Sequence, residues 1–254
     1  MKTSYHFLSC GLAATALFFT ACTTSRQEYQ ISSSLIPVDA HWEKTPEPQM
    51  KAIVDKYKAS VDSIMSIVIG QSDDYMAPGR PETTLTDLSA DMIKVQGEKT
   101  FGEPVDFAVI NIGGIRNPLM QGEITLGEIY SIFPFDNTLF LAKLKGSDVR
   151  ELFNIIASRN GEAVSREVRM TIADGKATHI AIGGKPLDDN RIYTVATIDY
   201  VANGGDHMTP FLNAVERRNS STFMRDAVIN YICEETQAKR AISAPAQGRI
   251  TISN

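Results

Sequence analysis

The run from Val105 to Ile112 constrains the fold of this chain more than any other segment. It is short, apolar and rich in β-branched residues, and Pro104 and Gly113 bound it. Such a run reads as a buried strand, and a buried strand needs neighbouring strands and covering layers. The flanking pattern supplies both. Upstream, Pro46 and Pro48 open a helical pattern in which Met50, Ile53, Val54, Tyr57, Val61, Ile64 and Met65 recur at spacings of three and four, on one face. Gly70 and Pro78-Gly79 break the chain, and Leu85, Leu88 and Met92 mark a second helix. Downstream, Gly113-Gly114 turns the strand, and Thr125-x-x-Glu128 has the form of a capping box that starts a short helix. Thr138 to Leu144 reads as another strand, and Ser147 is placed to cap a helix reaching about Ala157.

The rest is strand-rich. Val168, Met170 and Ile172 alternate, Asp174-Gly175 turns the chain, and Thr178, Ile180 and Ile182 alternate again, which predicts a hairpin. Gly183-Gly184 makes a second turn, Ile192 to Ile198 is a further strand, and Ile250 with Ile252 can add an edge strand. Phe223, Met224, Ala227, Val228, Tyr231 and Ile232 form an apolar stripe at helical spacing. Because helices and strands do not strictly alternate, the expected class is α+β: layers around a mixed sheet, preceded by a long amphipathic helix.

The first residues read as an address. Met1-Lys2 is positive, Phe7 to Phe19 is almost wholly apolar or small, and Phe19-Thr20-Ala21-Cys22 resembles a bacterial lipobox with Phe19 in place of the usual Leu. The apolar stretch is too short for a spanning helix, which needs about 20 apolar residues. The expected organisation is a lipoprotein signal peptide over 1–21, a tether over 22–45 that starts at lipidated Cys22, a linker helix over 46–70 and a domain over 78–254. Thr23 follows the cysteine, so no Asp stands there to signal inner-membrane retention, and the expectation is an outer-membrane anchor, facing the periplasm or the surface. Cys10 leaves with the signal and Cys22 is capped by lipid, so only Cys233 remains and no intramolecular disulfide can form. Cys233 lies on the last apolar stripe and reads as a buried, inert thiol.

The chemistry is read mostly by elimination. With 25 basic against 30 acidic residues the chain has no basic surplus for a nucleic-acid backbone. His41, His179 and His207 stand in no HxH, HExxH or CxxC context, and no GxSxG elbow or Walker A loop occurs. Asp39-Ala40-His41 has a spacing that can serve a metal. It lies in the tether with no second cluster after it, and chance polar residues before a helix is the better reading.

Three glycine-containing clusters stand out. Asn111-Ile112-Gly113-Gly114-Ile115-Arg116 follows the buried strand; its glycines allow close backbone approach or a positive φ, and Arg116 can meet phosphate or carboxylate with its planar fork. A plain Gly-Gly turn accounts for it equally well. Phe133-Pro134-Phe135-Asp136-Asn137 offers a rigid aromatic platform and an amide with both donor and acceptor, against the alternative of a core Phe in a turn. The segment from Thr197 to Asp206 carries a second aromatic, Tyr200, and ends in Gly204-Gly205 before an acid. Together they describe two aromatic faces for a base, an amide, an acid for a sugar and an arginine for phosphate.

These clusters resemble the C-terminal, substrate-binding domain of the 5′-nucleotidase / UDP-sugar hydrolase family. The matching stretches are NIGGIR (111–116), QGEITLGEIYSIFPFDN (121–137), LKGSDVRELF (144–153), YTVATIDYVANGGD (193–206) and GRI (248–250), and residues 80–92, with Arg80, Glu82, Leu85, Leu88 and Asp91, look like that domain's opening helix. The stretch 47–69 looks like the helix joining the two domains in family members. The resemblance implies that Phe135 and Tyr200 sandwich the base, Tyr200 replacing the more usual Phe. It places Asn137 on the base, Asp206 on the ribose, and Arg116 with Asn111 on the phosphate side of the Gly113-Gly114 turn. Arg80 is a further phosphate candidate, and His207 stands where a small residue is common.

Family enzymes also carry a metallophosphatase domain with a two-metal centre, which the resemblance does not cover here. The expectation is therefore a nucleotide- or nucleoside-binding specificity part of a 5′-nucleotidase. It holds no catalytic residue, metal or cofactor of its own, and works with a separate metallophosphatase chain that carries divalent metals. The alternatives are a stand-alone extracytoplasmic nucleotide-binding lipoprotein and a structural lipoprotein that keeps only the fold.

Overall fold

A computed structural model describes residues 29–45 and 47–253. The expected signal peptide and lipidated Cys22 lie outside the described residues. The chain forms two units, one ending at Ala52 and the other starting at Ile53. In the first, residues 29–45 are exposed and irregular apart from a short 3-10 turn at Trp42–Lys44. There the Asp39 carboxylate accepts the His41 backbone N–H at 2.9 Å.

Helix α1, Pro48–Met65, starts with Pro at its first position, where the missing N–H has no partner to lose. The Glu47 carboxylate accepts the Met50 N–H at 2.7 Å. Its apolar stripe is exposed, and none of its residues is buried. Strand β1, Val68–Ser72, follows and pairs with β3, Gly122–Thr125, in an antiparallel ribbon. Neither strand announces itself: both are short, and each carries a glycine and few apolar residues.

Helix α2, Thr84–Phe101, has reciprocal bonds between Thr83 and Thr86 at its start and Gly102 in the left-handed conformation at its end. It packs on β2, Phe107–Ile110, on β5, Ala163–Val164, and on β9, Ile192–Ile198. All four residues of β2 are buried. The expected run from Val105 is thus shortened at both ends; Ile112–Gly114 forms a 3-10 turn instead.

With β4, Thr138–Lys145, and β10, Glu216–Phe223, these strands make a five-stranded sheet in the order β10-β4-β9-β2-β5. It is mixed, as expected: β2 runs parallel to β9, while β4 is antiparallel to β9 over seven residue pairs. Strand β10 reads ERRNSSTF, with no apolar alternation to betray it. It is an edge strand held by backbone pairing to β4 and by ion pairs of its Glu216 with Lys143 and of its Arg218 with Glu103.

Helix α3, Leu126–Ile132, begins at Thr125, whose hydroxyl accepts from the Glu128 N–H. Only half of the expected box forms, because the Glu128 carboxylate instead accepts the Met120 N–H at 2.8 Å. Helix α4, Gly146–Ser158, starts one residue before Ser147, with no side-chain cap. Gly146 is required there because a Cβ would lie 1.9 Å from the Asp188 carbonyl oxygen. Phe153 of α4 stacks on Phe107 of β2, ring centroids 5.6 Å apart.

The predicted hairpin is β6, Val168–Ala173, and β7, Lys176–Ile182, with Asp174 and Gly175 both at positive φ. With β8, Lys185–Pro186, and β11, Ile250–Ile252, they form a four-stranded sheet that α4 covers. After the short helix α5, Asp199–Ala202, and strand β10, the last helix is α6, Met224–Gln237. It packs on α2 and β1, and Cys233 on it is half-buried rather than buried.

The C-terminal strand is fastened by a buried arginine. Arg249 is 1% exposed; its guanidinium makes two 2.9 Å bonds to the Asp91 carboxylate and donates to the Val164 and Asp87 carbonyls. Its Nε lies 3.3 Å from Asp87 Oδ2, unaligned for a hydrogen bond. The Glu82 carboxylate accepts the N–H groups of Gln247, Gly248 and Ile250. Asp87 and Asp91 thus face the buried cation, and Asp91 is shared with Arg166, whose Nη2 lies 3.1 Å from it. Burial first, then the hydrogen bond with Glu82, pushes the Asp87 carboxyl up to about 8, so it is the acid that keeps a proton.

An elevated native pKa stabilises the fold below the ordinary carboxyl range, and that contribution is lost as pH rises through about 8. Chemical denaturation of wild type and Asp87→Asn from pH 5 to 9 tests this. The wild type should lose stability relative to the variant as pH rises, by at most about 1.4 kcal/mol per pH unit. Parallel profiles would refute the assignment.

Candidate functional site

Strand register brings the three glycine-containing clusters to one end of the five-stranded sheet. β2 and β9 are parallel neighbours, Phe107 opposite Val195, so Asn111 and Asp199 leave the sheet on the same side. β4 is antiparallel to β9, Leu139 opposite Ile198, so Asn137 enters β4 at that side as well. There Asn111, Gly113, Gly114, Arg116, Phe135, Asn137, Tyr200 and Asp206 line an open cleft of about 380 Å³. That is within the size range of small-ligand sites, roughly 300–1,000 Å³. Its floor is continuous with an apolar layer of Ile110, Phe133, Ile198 and Met224.

The two phenylalanines of the 133–137 loop divide the work. Phe133 is in the core, 3% exposed, while Phe135 is 48% exposed on the cleft. Arg225, itself nearly buried, holds this loop: it donates to the Phe133 carbonyl at 3.2 Å and to Asp136 at 2.7 Å, and lies 4.1 Å over the Tyr130 ring. The Met224 N–H donates to the Asn137 carbonyl at 2.7 Å. Sequence reasoning missed Arg225, which sits in the apolar stripe that reads only as a helix face.

Tyr200 is 45% exposed on α5. Gly205 is what lets it lie there, since a Cβ would come 2.5 Å from both the Tyr200 ring and its carbonyl oxygen. Asp206 and His207 follow with φ of 53° and 64°, a region uncommon for residues other than glycine. Gly113 and Gly114, by contrast, are not at positive φ; they provide room. A Cβ on Gly114 would meet Asn111 Oδ1 at 3.3 Å.

Polar groups around the cleft are interlinked. Asn111 Nδ2 donates to Asp206 Oδ2 at 2.7 Å, and Asn111 Oδ1 is buried without a partner. An unpaired buried acceptor costs about 1–3 kcal/mol, which a ligand donor would recover. Arg116 donates to the Gly113 carbonyl and lies 5.9 Å over the Phe135 ring, leaving much of its guanidinium for an anion. Arg80 does not line the cleft. Its guanidinium is occupied by the Arg159 carbonyl, at 2.9 Å, and by the Glu162 carboxylate. That carboxylate has no exposed surface and also accepts Arg159 Nε at 2.7 Å and the Ile112 N–H at 2.6 Å. Of these partners only Arg159 is near Glu162 in the chain; Arg80 and Ile112 are far from it, so sequence reading does not single the residue out.

Among the described residues no group of three or more His, Cys, Asp or Glu is placed to hold a metal, and no helix is long and apolar enough to cross a membrane. The cleft itself offers two aromatic rings, two amides, a carboxylate and a guanidinium, groups that suit a flat ring, hydroxyls and an anion.

Comparison with known proteins agrees with the fold. Residues 68–213 match the family model "5′-nucleotidase, C-terminal domain". The protein UshA of Yersinia enterocolitica is 29% identical over 166 residues, 63% of this chain and 30% of that protein. A 5′-nucleotidase of Vibrio vulnificus is 34% identical over 105 residues, 40% of this chain and 19% of that one. The solved 5′-nucleotidase precursor of Thermus thermophilus superposes on 84% of this chain with a TM-score of 0.69 and 25% identity, and the match covers 45% of that structure. The chain spans less than half the length of these relatives. The matched segment holds all eight cleft-lining residues, and on that evidence the chain belongs to the 5′-nucleotidase C-terminal domain family.

Proposed function

We propose that this chain is the nucleotide- or nucleoside-binding, specificity-determining part of a 5′-nucleotidase, acting with a separate metallophosphatase chain. The observation that carries the reading is the pair of half-exposed aromatics, Phe135 and Tyr200, on one cleft with Asn137, Asp206 and Arg116. The base stacks on the aromatic rings, Asn137 offers a donor and an acceptor to its edge, Asp206 accepts ribose hydroxyls, and Arg116 meets the phosphate. Divalent metals belong in this reading to the partner, where they would activate water; no residue here is assigned a catalytic step.

A second reading is a stand-alone extracytoplasmic nucleotide-binding lipoprotein, supported by the aromatic, amide, carboxylate and guanidinium groups that share one cleft of this chain. The lipid anchor at Cys22 and its outer-membrane destination are part of both proposals.

Calorimetry with adenosine and AMP tests the site itself. Base–aromatic stacking contributes about 1–3 kcal/mol per base, so Phe135→Ala should weaken both ligands roughly 5- to 150-fold. Unchanged affinity in the variant, or no binding by the wild type at millimolar ligand, would exclude the reading. Mixing the chain with a metallophosphatase that lacks such a domain should raise phosphate release from nucleotides or sharpen preference among them. Tight nucleotide binding with no gain in any such mixture selects the second reading. Cys22→Ala should release the protein from the membrane fraction, and retention there would count against the anchor.

A further inference from the structure

The ribose-side acid of the cleft is held by a residue outside it. Asp206 Oδ2 accepts from Asn111 Nδ2 at 2.7 Å, and Asp206 Oδ1 lies 3.4 Å from Arg159 Nη2. Arg159 is not part of the cleft lining; it ends α4, and its Nε is bound to the buried Glu162 carboxylate at 2.7 Å. One guanidinium therefore spans two carboxylates, and Glu162 fixes it from behind, together with Arg80 and the Ile112 N–H. Strand pairing explains the meeting. β5 is antiparallel to β2, Ala163 opposite Ile110, so Glu162 stands beside the start of the 112–114 turn.

We propose that Arg159, braced by Glu162, is a positioning residue for Asp206. It would thereby set the preference of the site for a vicinal diol, such as the ribose 2′- and 3′-hydroxyls, over a deoxy sugar. This rests on the reading of the cleft as a nucleoside site. An ionised carboxylate offers about four acceptor positions. The Asn111 amide occupies one on Oδ2, and the Arg159 guanidinium faces Oδ1 as an ion pair at 3.4 Å, so at least two positions remain for two hydroxyl donors. Without Arg159 the carboxylate is held on one oxygen only, on a backbone at φ 53° that few residues other than glycine adopt. It is then free to rotate away from the diol. Lysine would keep the charge, but a single ammonium lacks the planar fork needed to reach both carboxylates.

The test is calorimetry of the full chain, wild type, Arg159→Lys and Glu162→Gln, with adenosine, 2′-deoxyadenosine and 3′-deoxyadenosine. A hydrogen bond to a charged group typically changes affinity by about tenfold or more, so the wild type should prefer adenosine to either deoxy ligand by at least that factor. In Arg159→Lys the preference should fall to about twofold or less, with the deoxy ligands bound roughly as in wild type; Glu162→Gln should fall in the same direction. Thermal melting of each variant is recorded alongside. If Arg159→Lys retains the wild-type preference, or weakens all three ligands equally, the positioning role is overturned while the nucleoside site stands. If a variant melts early, the adenosine-to-deoxyadenosine ratio of the other, folded variant decides by the same criterion. Failure of the wild type to bind any of the three overturns both this proposal and the reading beneath it.

Discussion

The pairing of β9 with β2 on one side and β4 on the other decides where every functional side chain stands. Those two ladders run in opposite senses, one parallel and one antiparallel. As a result two strand exits and one strand entry gather at a single end of the sheet. β5 and β10 extend the same logic: Ala163 pairs with Ile110, and Phe223 pairs with Thr138. Five segments far apart in the chain thus deliver Glu162, Asn111, Asp206, Asn137 and Arg225 to one neighbourhood. A shift of one residue in any ladder would turn its side chains to the opposite face and dismantle the cleft, so the buried strand β2 fixes the site as much as it fixes the core.

Around that frame, two buried ionic arrangements do different jobs. Arg249, with Asp91 and Asp87, ties the C-terminal strand to α2 and to β5. Breaking one partner of such a pair strands a charge in a low-dielectric interior, which costs more than the pair contributes. Glu162, with Arg80 and Arg159, ties the loop before α2 to the end of α4 and to the turn after β2. The first contributes no residue to the cleft lining; the second reaches it through Asp206. Both use arginine, whose planar fork can satisfy several acceptors at once.

Much of the architecture was legible in the sequence. Strong periodicity gave the helices around Leu85 and Met224, alternation gave the β6–β7 hairpin with its Asp174-Gly175 turn, and the apolar runs gave β2, β4 and β9. What escaped notice had weak local signals. Strand β10 is polar throughout, and β1 and β3 are short and glycine-bearing, so their existence depends on partners distant in the chain. Ser147 looked like a cap, but the close approach of Asp188 to Gly146 moved the helix start. Phe133 and Phe135 were indistinguishable as letters, and only burial separates the core ring from the exposed one.

By itself, the sequence determined the helices and strands with strong periodicity, the three glycine-containing clusters and the chemistry each can offer, because periodicity, turn residues and functional groups are local properties. It also carried the family resemblance through those same motifs. Only the tertiary structure decided which of them share a cleft. It drew Arg80 away to Glu162, used Gly113-Gly114 for room rather than for a positive φ, and recruited Arg159 and Arg225 as supports. The reason is physical. A buried carboxylate or an unsatisfied amide acquires its meaning from the groups that fold against it, and those groups are set by strand register rather than by proximity along the chain.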